Sequence, residues 1–70
     1  MKQKNRLRVL RAEKRWSQLD VATRAKFKEY RYWRIENGYE IPTDDELDRL
    51  ARLFEVRASE IFPTLSQVSA

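Results

Sequence analysis

The chain has no cysteine and no histidine. That excludes disulfide staples and the usual zinc ligand sets, and it leaves the general acid–base and nucleophile chemistry of most hydrolases without its commonest side chains. One glycine and two prolines leave little material for hairpins and tight β turns, so an all-helical chain is favoured. No apolar run approaches the roughly 20 residues of a membrane span, and the basic start leads into no signal-peptide core. These absences predict a cytoplasmic protein and exclude a membrane role. No glycine-rich phosphate loop is present either, so an enzyme is not expected, and neither a cofactor nor a small-molecule ligand is implied.

What the chain does have is charge, unevenly placed. Residues 1–40 hold twelve Lys/Arg and five Asp/Glu, a balance of +7, whereas residues 41–70 hold three and six, a balance of −3. Such a distribution turns one end of a molecule toward a polyanion and the other away from it. At 70 residues the chain is sized for one domain, with the core over about 7–62 and a polar tail over 63–70. Stability must then come from helix packing, caps or self-association.

Periodicity divides the chain into helices. Met1 to Lys14 reads as the first, with Leu7 and Leu10 at i, i+3 and Met1 to Asn5 as a basic arm or frayed end. Ser17 is a natural N-cap with Asp20 three residues on, and Trp16 is placed to staple the helix they open to the core. That helix is expected to bury Val21, Ala22 and Ala25; Leu19 points away from this face. A tight turn near Lys26 and a core anchor at Phe27 lead into a third helix. There Tyr32 and Ile35 face inward and residues 29, 30, 33 and 34 fall together on the other side. Asn37-Gly38 ends it through a left-handed glycine. Thr43 and Glu46 form a capping box for a fourth helix carrying Leu47, Leu50, Ala51 and Phe54. Asp44, Asp45 and Glu46 suit the positive end of that helix dipole and need no metal to explain them. A short helix over about Ala58 to Phe62 ends at Pro63. Leu65 and Val68, with the Ile61-Phe62 end, are the apolar candidates for a dimer surface.

With the elements placed, the sequence resembles the phage-repressor-like helix-turn-helix family, the Cro/C1 or XRE type. The resemblance runs from about Leu7 to Phe62. It is carried by Leu10-Arg11, Ser17-Gln18, Val21-Ala22, the run Arg34-Ile35-Glu36-Asn37-Gly38 with Pro42 beyond it, and Leu47, Leu50-Ala51, Phe54 and Val56. It implies an all-α, lambda-repressor-like domain of five helices, with the helix-turn-helix at about 18–37 and the third helix as the recognition helix in the major groove. It implies that Gln18 and Asn37 touch phosphate, that Arg11 and Glu36 form an ion pair locking the first helix to the third, and that Glu29, Tyr30, Trp33 and Arg34 read bases. The pattern's turn glycine is Lys26 here, its preceding large aliphatic is Ala25, and its small polar recognition residues are replaced by Tyr30 and Trp33.

The residue chemistry fits a reader of double-stranded DNA. Arg34 can give guanine a bidentate pair, worth ~1–3 kcal/mol of discrimination, or can contact phosphate or a nearby acid. Glu29 can accept from cytosine N4 or remain a surface residue. Tyr30 and Trp33, at i, i+3, can cover thymine methyls or sugars, anchor a protein partner, or be partly buried. Lys26, Lys28 and Arg31 are phosphate clamps or solvated charges. The sequence therefore predicts a DNA-binding transcriptional regulator, a homodimer on an inverted repeat, associated with the nucleoid when bound. The alternative is a protein-interaction module, antitoxin-like or co-regulatory, that uses the exposed aromatics. RNA binding is disfavoured because the stacking platforms of the common RNA modules are absent.

Overall fold

The structure is a computed structural model that describes residues 4–63. Five helices follow one another, with no strand among the described residues: α1 (Leu7–Lys14), α2 (Gln18–Arg24), α3 (Glu29–Glu36), α4 (Asp44–Phe54) and α5 (Ala58–Ile61).

The first helix is shorter than its sequence suggests. It starts at Leu7, not in the basic arm, because Asn5 turns its side chain to other uses. Asn5 Oδ1 accepts the Leu7 N–H at 2.9 Å, relieving one of the donors a helix start leaves unpaired. Its Nδ2 donates to the carbonyls of Ile35 and Glu36 at 3.1 and 3.3 Å, so the chain before α1 is tied to the end of α3. Met1 to Gln3 lie outside the described residues.

Both capping boxes form. Ser17 accepts from the Asp20 N–H while Asp20 accepts from that of Ser17, and Thr43 and Glu46 do the same for α4. Each box satisfies two otherwise orphaned donors, and such an N-cap is worth roughly 1 kcal/mol. The C-termini are less conventional. Gly38 takes the left-handed conformation after α3 (φ 83°), but Arg15 and Glu55 take it after α1 and α4 (φ 59° and 56°). Either residue bears a Cβ that this region disfavours.

The core is built from one face of each helix: Leu7, Val21, Ala22, Ala25, Tyr32, Ile35, Leu50, Phe54, Ile61 and Phe62. α2 packs against α3 and buries Val21 and Ala22, with Ala25 buried just beyond its end, and such short side chains permit close approach. Trp16 is half-buried, its ring 5.9 Å from Phe54, with the Arg24 guanidinium 4.5 Å above it. Phe27 is also half-buried, edge-on to Tyr32 at 6.1 Å. Ile61 and Phe62 are fully buried, so they belong to the core and offer no dimer surface; Leu65 and Val68 lie outside the described residues. The reason is the closure of the fold. The Arg6 N–H donates to the Ile61 carbonyl at 3.0 Å, drawing α5 under the start of α1 and covering its apolar pair. No helix among the described residues is long and apolar enough to cross a membrane.

Candidate nucleic-acid interface

The site is assembled around the turn between α2 and α3. Lys26 sits there at φ 62°, a conformation costing a non-glycine residue of order 1 kcal/mol. The turn is held by a residue from outside it. Arg49 of α4 donates through Nη1 to the carbonyls of Ala25 and Lys26 at 2.9 and 2.6 Å, and its guanidinium lies 4.8 Å from the Phe27 ring centre. This contact ties α4 to the turn from which α3 leaves.

A buried carboxylate fixes the other end of α3. Glu36, 6% exposed, is the buried charged residue among the described residues. Arg11 clasps it bidentately, Nε to Oε1 at 2.7 Å and Nη2 to Oε2 at 3.2 Å. Gln18 Nε2 donates to Oε2 and the Tyr32 hydroxyl to Oε1, each at 2.8 Å. Burial alone would raise the Glu36 pKa, but these donors outweigh it and hold the carboxyl below the usual range. Burial, with the facing Glu36 charge, pushes the Tyr32 phenol up. Arg11 also donates to the Trp16 carbonyl at 3.0 Å, so α1, the start of α2 and the end of α3 meet at one ionised group.

With its inner face fixed, α3 presents Glu29, Tyr30 and Trp33 to solvent. Tyr30 is 66% exposed and Trp33 38%. Their rings are nearly parallel at 10°, centres 6.0 Å apart, and Tyr39 stacks on Trp33 at 5.5 Å and 24°. The result is a wall of three stacked rings at the edge of α3, and Ile41 is exposed as well. One groove along the wall is lined by Gln18, Glu29, Tyr30 and Trp33; another by Tyr30, Trp33, Arg34 and Tyr39.

The charged candidates divide into two kinds. Lys26 and Lys28 are exposed at the N-terminal end of α3, with no acidic partner among the described residues. Arg31 is held bidentately by Glu46, Nε to Oε2 at 3.1 Å and Nη2 to Oε1 at 2.8 Å, and is also paired with Glu40. Hydrogen bonding to Glu46 raises the Arg31 pKa, and the same bonds lower that of Glu46. Arg34 pairs with Glu40 at 2.7 Å and donates to the Tyr30 hydroxyl at 3.1 Å. Gln18 commits one of its two amide N–H donors to Glu36. Asn37 accepts from Arg8 at 3.1 Å and donates to the Trp33 carbonyl at 2.9 Å, which adds a contact between α1 and the end of α3.

Asn5, Tyr39, Glu40 and Arg49 escaped the sequence reading. Their partners lie across loops, or across 23 to 31 residues for Asn5 and Arg49, where periodicity carries no signal. For Glu40 a signal existed: a left-handed glycine two residues earlier reverses the chain, returning the next acid alongside the arginines of α3.

No curated protein sequence matches the chain. A family model described as a helix-turn-helix domain matches residues 5–61, from the asparagine that ties down the end of α3 to the residue that closes the fold under α1. With two helices joined by a strained tight turn, the second locked from within and aromatic and polar outside, the chain belongs to the helix-turn-helix domain family.

Proposed function

We propose that the chain is a sequence-specific, double-stranded DNA-binding transcriptional regulator of the Cro/C1 or XRE type. It acts as a homodimer on an inverted repeat, with half-sites about one helical turn apart. The observation that carries this reading is the asymmetry of α3. One face is immobilised by the Glu36 network, and the other holds Glu29, Tyr30 and Trp33 toward solvent beside Arg34 and the free cations Lys26 and Lys28. A major groove about 12 Å wide admits one helix, and base readout requires that helix to be held rigidly. In this reading Lys26 and Lys28 contact phosphate, with Gln18, Arg31 and Asn37 bordering the backbone. Glu29, Tyr30, Trp33 and Arg34 meet base edges and thymine methyls. The protein performs no chemistry. It occupies an operator at the nucleoid, and its occupancy follows its concentration or a partner.

The test is selection from a pool of randomised duplex DNA at near-physiological salt. An enriched inverted repeat supports the regulator; weak, steeply salt-dependent binding with no enrichment refutes sequence-specific recognition.

A second reading draws on the aromatic wall. Tyr30, Trp33, Tyr39 and Ile41 are all exposed, and exposed aromatics are frequent anchors of protein interfaces. In that case the module docks a protein, as an antitoxin or co-regulatory subunit would. A Trp33→Ala variant that keeps DNA affinity but loses a protein partner favours this alternative; one that stays folded and loses DNA affinity counts against it.

A further inference from the structure

We propose that Glu40 is a specificity-determining residue, because its carboxylate occupies in the free protein the cation that DNA phosphate would otherwise attract. The inference rests on the DNA-binding reading above. It starts from the reversal at Gly38, which brings Glu40 back beside α3. There Arg31 and Arg34, three residues apart, stand on one flank of the helix. One Glu40 oxygen pairs with Arg31 and the other with Arg34 Nη2 at 2.7 Å. All three side chains are between 30% and 35% exposed, so the bridge is partly shielded yet reachable from solvent.

The two arginines are not equivalent. Arg31 has a second carboxylate, Glu46, with two further hydrogen bonds, and serves as the fixed post to which Glu40 is attached. Among the described residues Arg34 has one acidic partner, Glu40, beside the neutral Tyr30, whose hydroxyl accepts from it and whose ring lies 5.5 Å from its guanidinium. Its Nε is buried without an acceptor among the described residues. A buried donor left unpaired is costly, so the free-state arrangement leaves Arg34 unsatisfied. Arg34 is therefore the cation able to change partner.

That arrangement discriminates between kinds of DNA. Non-specific binding comes almost entirely from cations meeting phosphate. A phosphate offers Arg34 a charge-assisted contact much like the carboxylate it already has, so a random duplex gains little by displacing Glu40. A cognate site, aligned by the other contacts, offers base-edge acceptors in a fixed bidentate geometry as well. Glu40 thus suppresses the sequence-independent part of the affinity more than the sequence-dependent part.

The test is fluorescence anisotropy with a labelled random-sequence duplex over a range of salt concentrations. It compares wild type, Glu40→Gln, Arg34→Gln and the double variant, with circular dichroism melts reporting the fold. Glu40→Gln is expected to bind the random duplex roughly 3–10-fold tighter near 0.1 M salt, with the log–log salt slope steeper by about one. In the Arg34→Gln background the same substitution is expected to leave the slope unchanged. An unchanged or shallower slope for Glu40→Gln overturns the inference, as does a steepening that survives without Arg34, which would mark a general charge effect. Wild type failing to bind any duplex would instead bring down the DNA-binding reading, and this inference with it.

Discussion

The Tyr32 hydroxyl donates to Glu36 Oε1 at 2.8 Å, from one turn earlier on the same helix. A fully buried aromatic ring thereby ends in the carboxylate that Arg11 and Gln18 also hold, so apolar core and ionic lock share one side chain.

Removing the arginine alone from this cluster should cost more than removing both charges of the pair. Arg11→Met leaves a buried, less compensated carboxylate and is expected to destabilise the domain by about 2–3 kcal/mol, discounted for the partial exposure of the arginine. The double variant Arg11→Met with Glu36→Gln should regain part of that loss, and Tyr32→Phe should cost about 1 kcal/mol. Urea denaturation of the four proteins reads these differences directly.

Acid should unfold the protein through the same group. The folded-state pKa values of Glu36, Glu46 and Asp20 all lie below their unfolded values of 4.5, 4.5 and 3.8. Depressed carboxylates contribute stability that is fully present above the unfolded pKa and lost as pH falls through the folded one. Stability should hold level near neutrality and decline below about pH 4.5, with a shallower decline in Glu36→Gln. Tyr32 has the opposite sign. Its pKa is raised above the unfolded value of 10.0, so its contribution is complete below that pH and is lost above it. Thermal melts from pH 2.5 to 10.5 test both limbs.

The turn offers a stabilising substitution. Lys26→Gly removes the Cβ that disfavours φ 62°, with an expected gain approaching 1 kcal/mol and a melting temperature higher by about 4 °C. Arg49→Ala should act in reverse, by about 1 kcal/mol, since it strips the donor from the Ala25 and Lys26 carbonyls. Because Arg49 braces the turn that leads into α3, Arg49→Ala should also weaken DNA binding at temperatures where the domain stays folded.

Phosphate and base contacts should separate in titrations. Lys28→Gln is expected to weaken binding similarly for every duplex and to reduce the salt slope by about one, whereas Trp33→Ala should change the preferred base at a particular half-site position and leave the slope alone.

Local rules reached far along this chain. The capping boxes at Ser17 and Thr43, the left-handed Gly38, the inward Tyr32 and Ile35 and the outward Tyr30 and Trp33 all follow from spacing within one helix, and the structure has them so. Non-local contacts lay beyond those rules. Asn5 shortens α1 by committing its side chain to a helix 30 residues away, and Arg49 closes a turn 23 residues before it. Residues of α3 that seemed free to meet DNA have partners that only the three-dimensional arrangement supplies, Glu40 and Glu46 for Arg31 and Glu40 for Arg34. Likewise, Ile61 and Phe62 look like a sticky end in sequence and become core because the chain returns to its start.

The backbone bond between Arg6 and Ile61 has a topological meaning. The described chain is nearly a closed ring, entering and leaving at one point, so its order of helices is a matter of where the ring is cut. A permutant that joins the two ends through a short linker and opens at the Tyr39–Pro42 loop would keep the Glu36 lock and the Arg49 brace. The cut would instead release Glu40 from the segment that holds it against α3. The scaffold that orients α3 and the acid that restrains its arginine are, in this sense, separable parts.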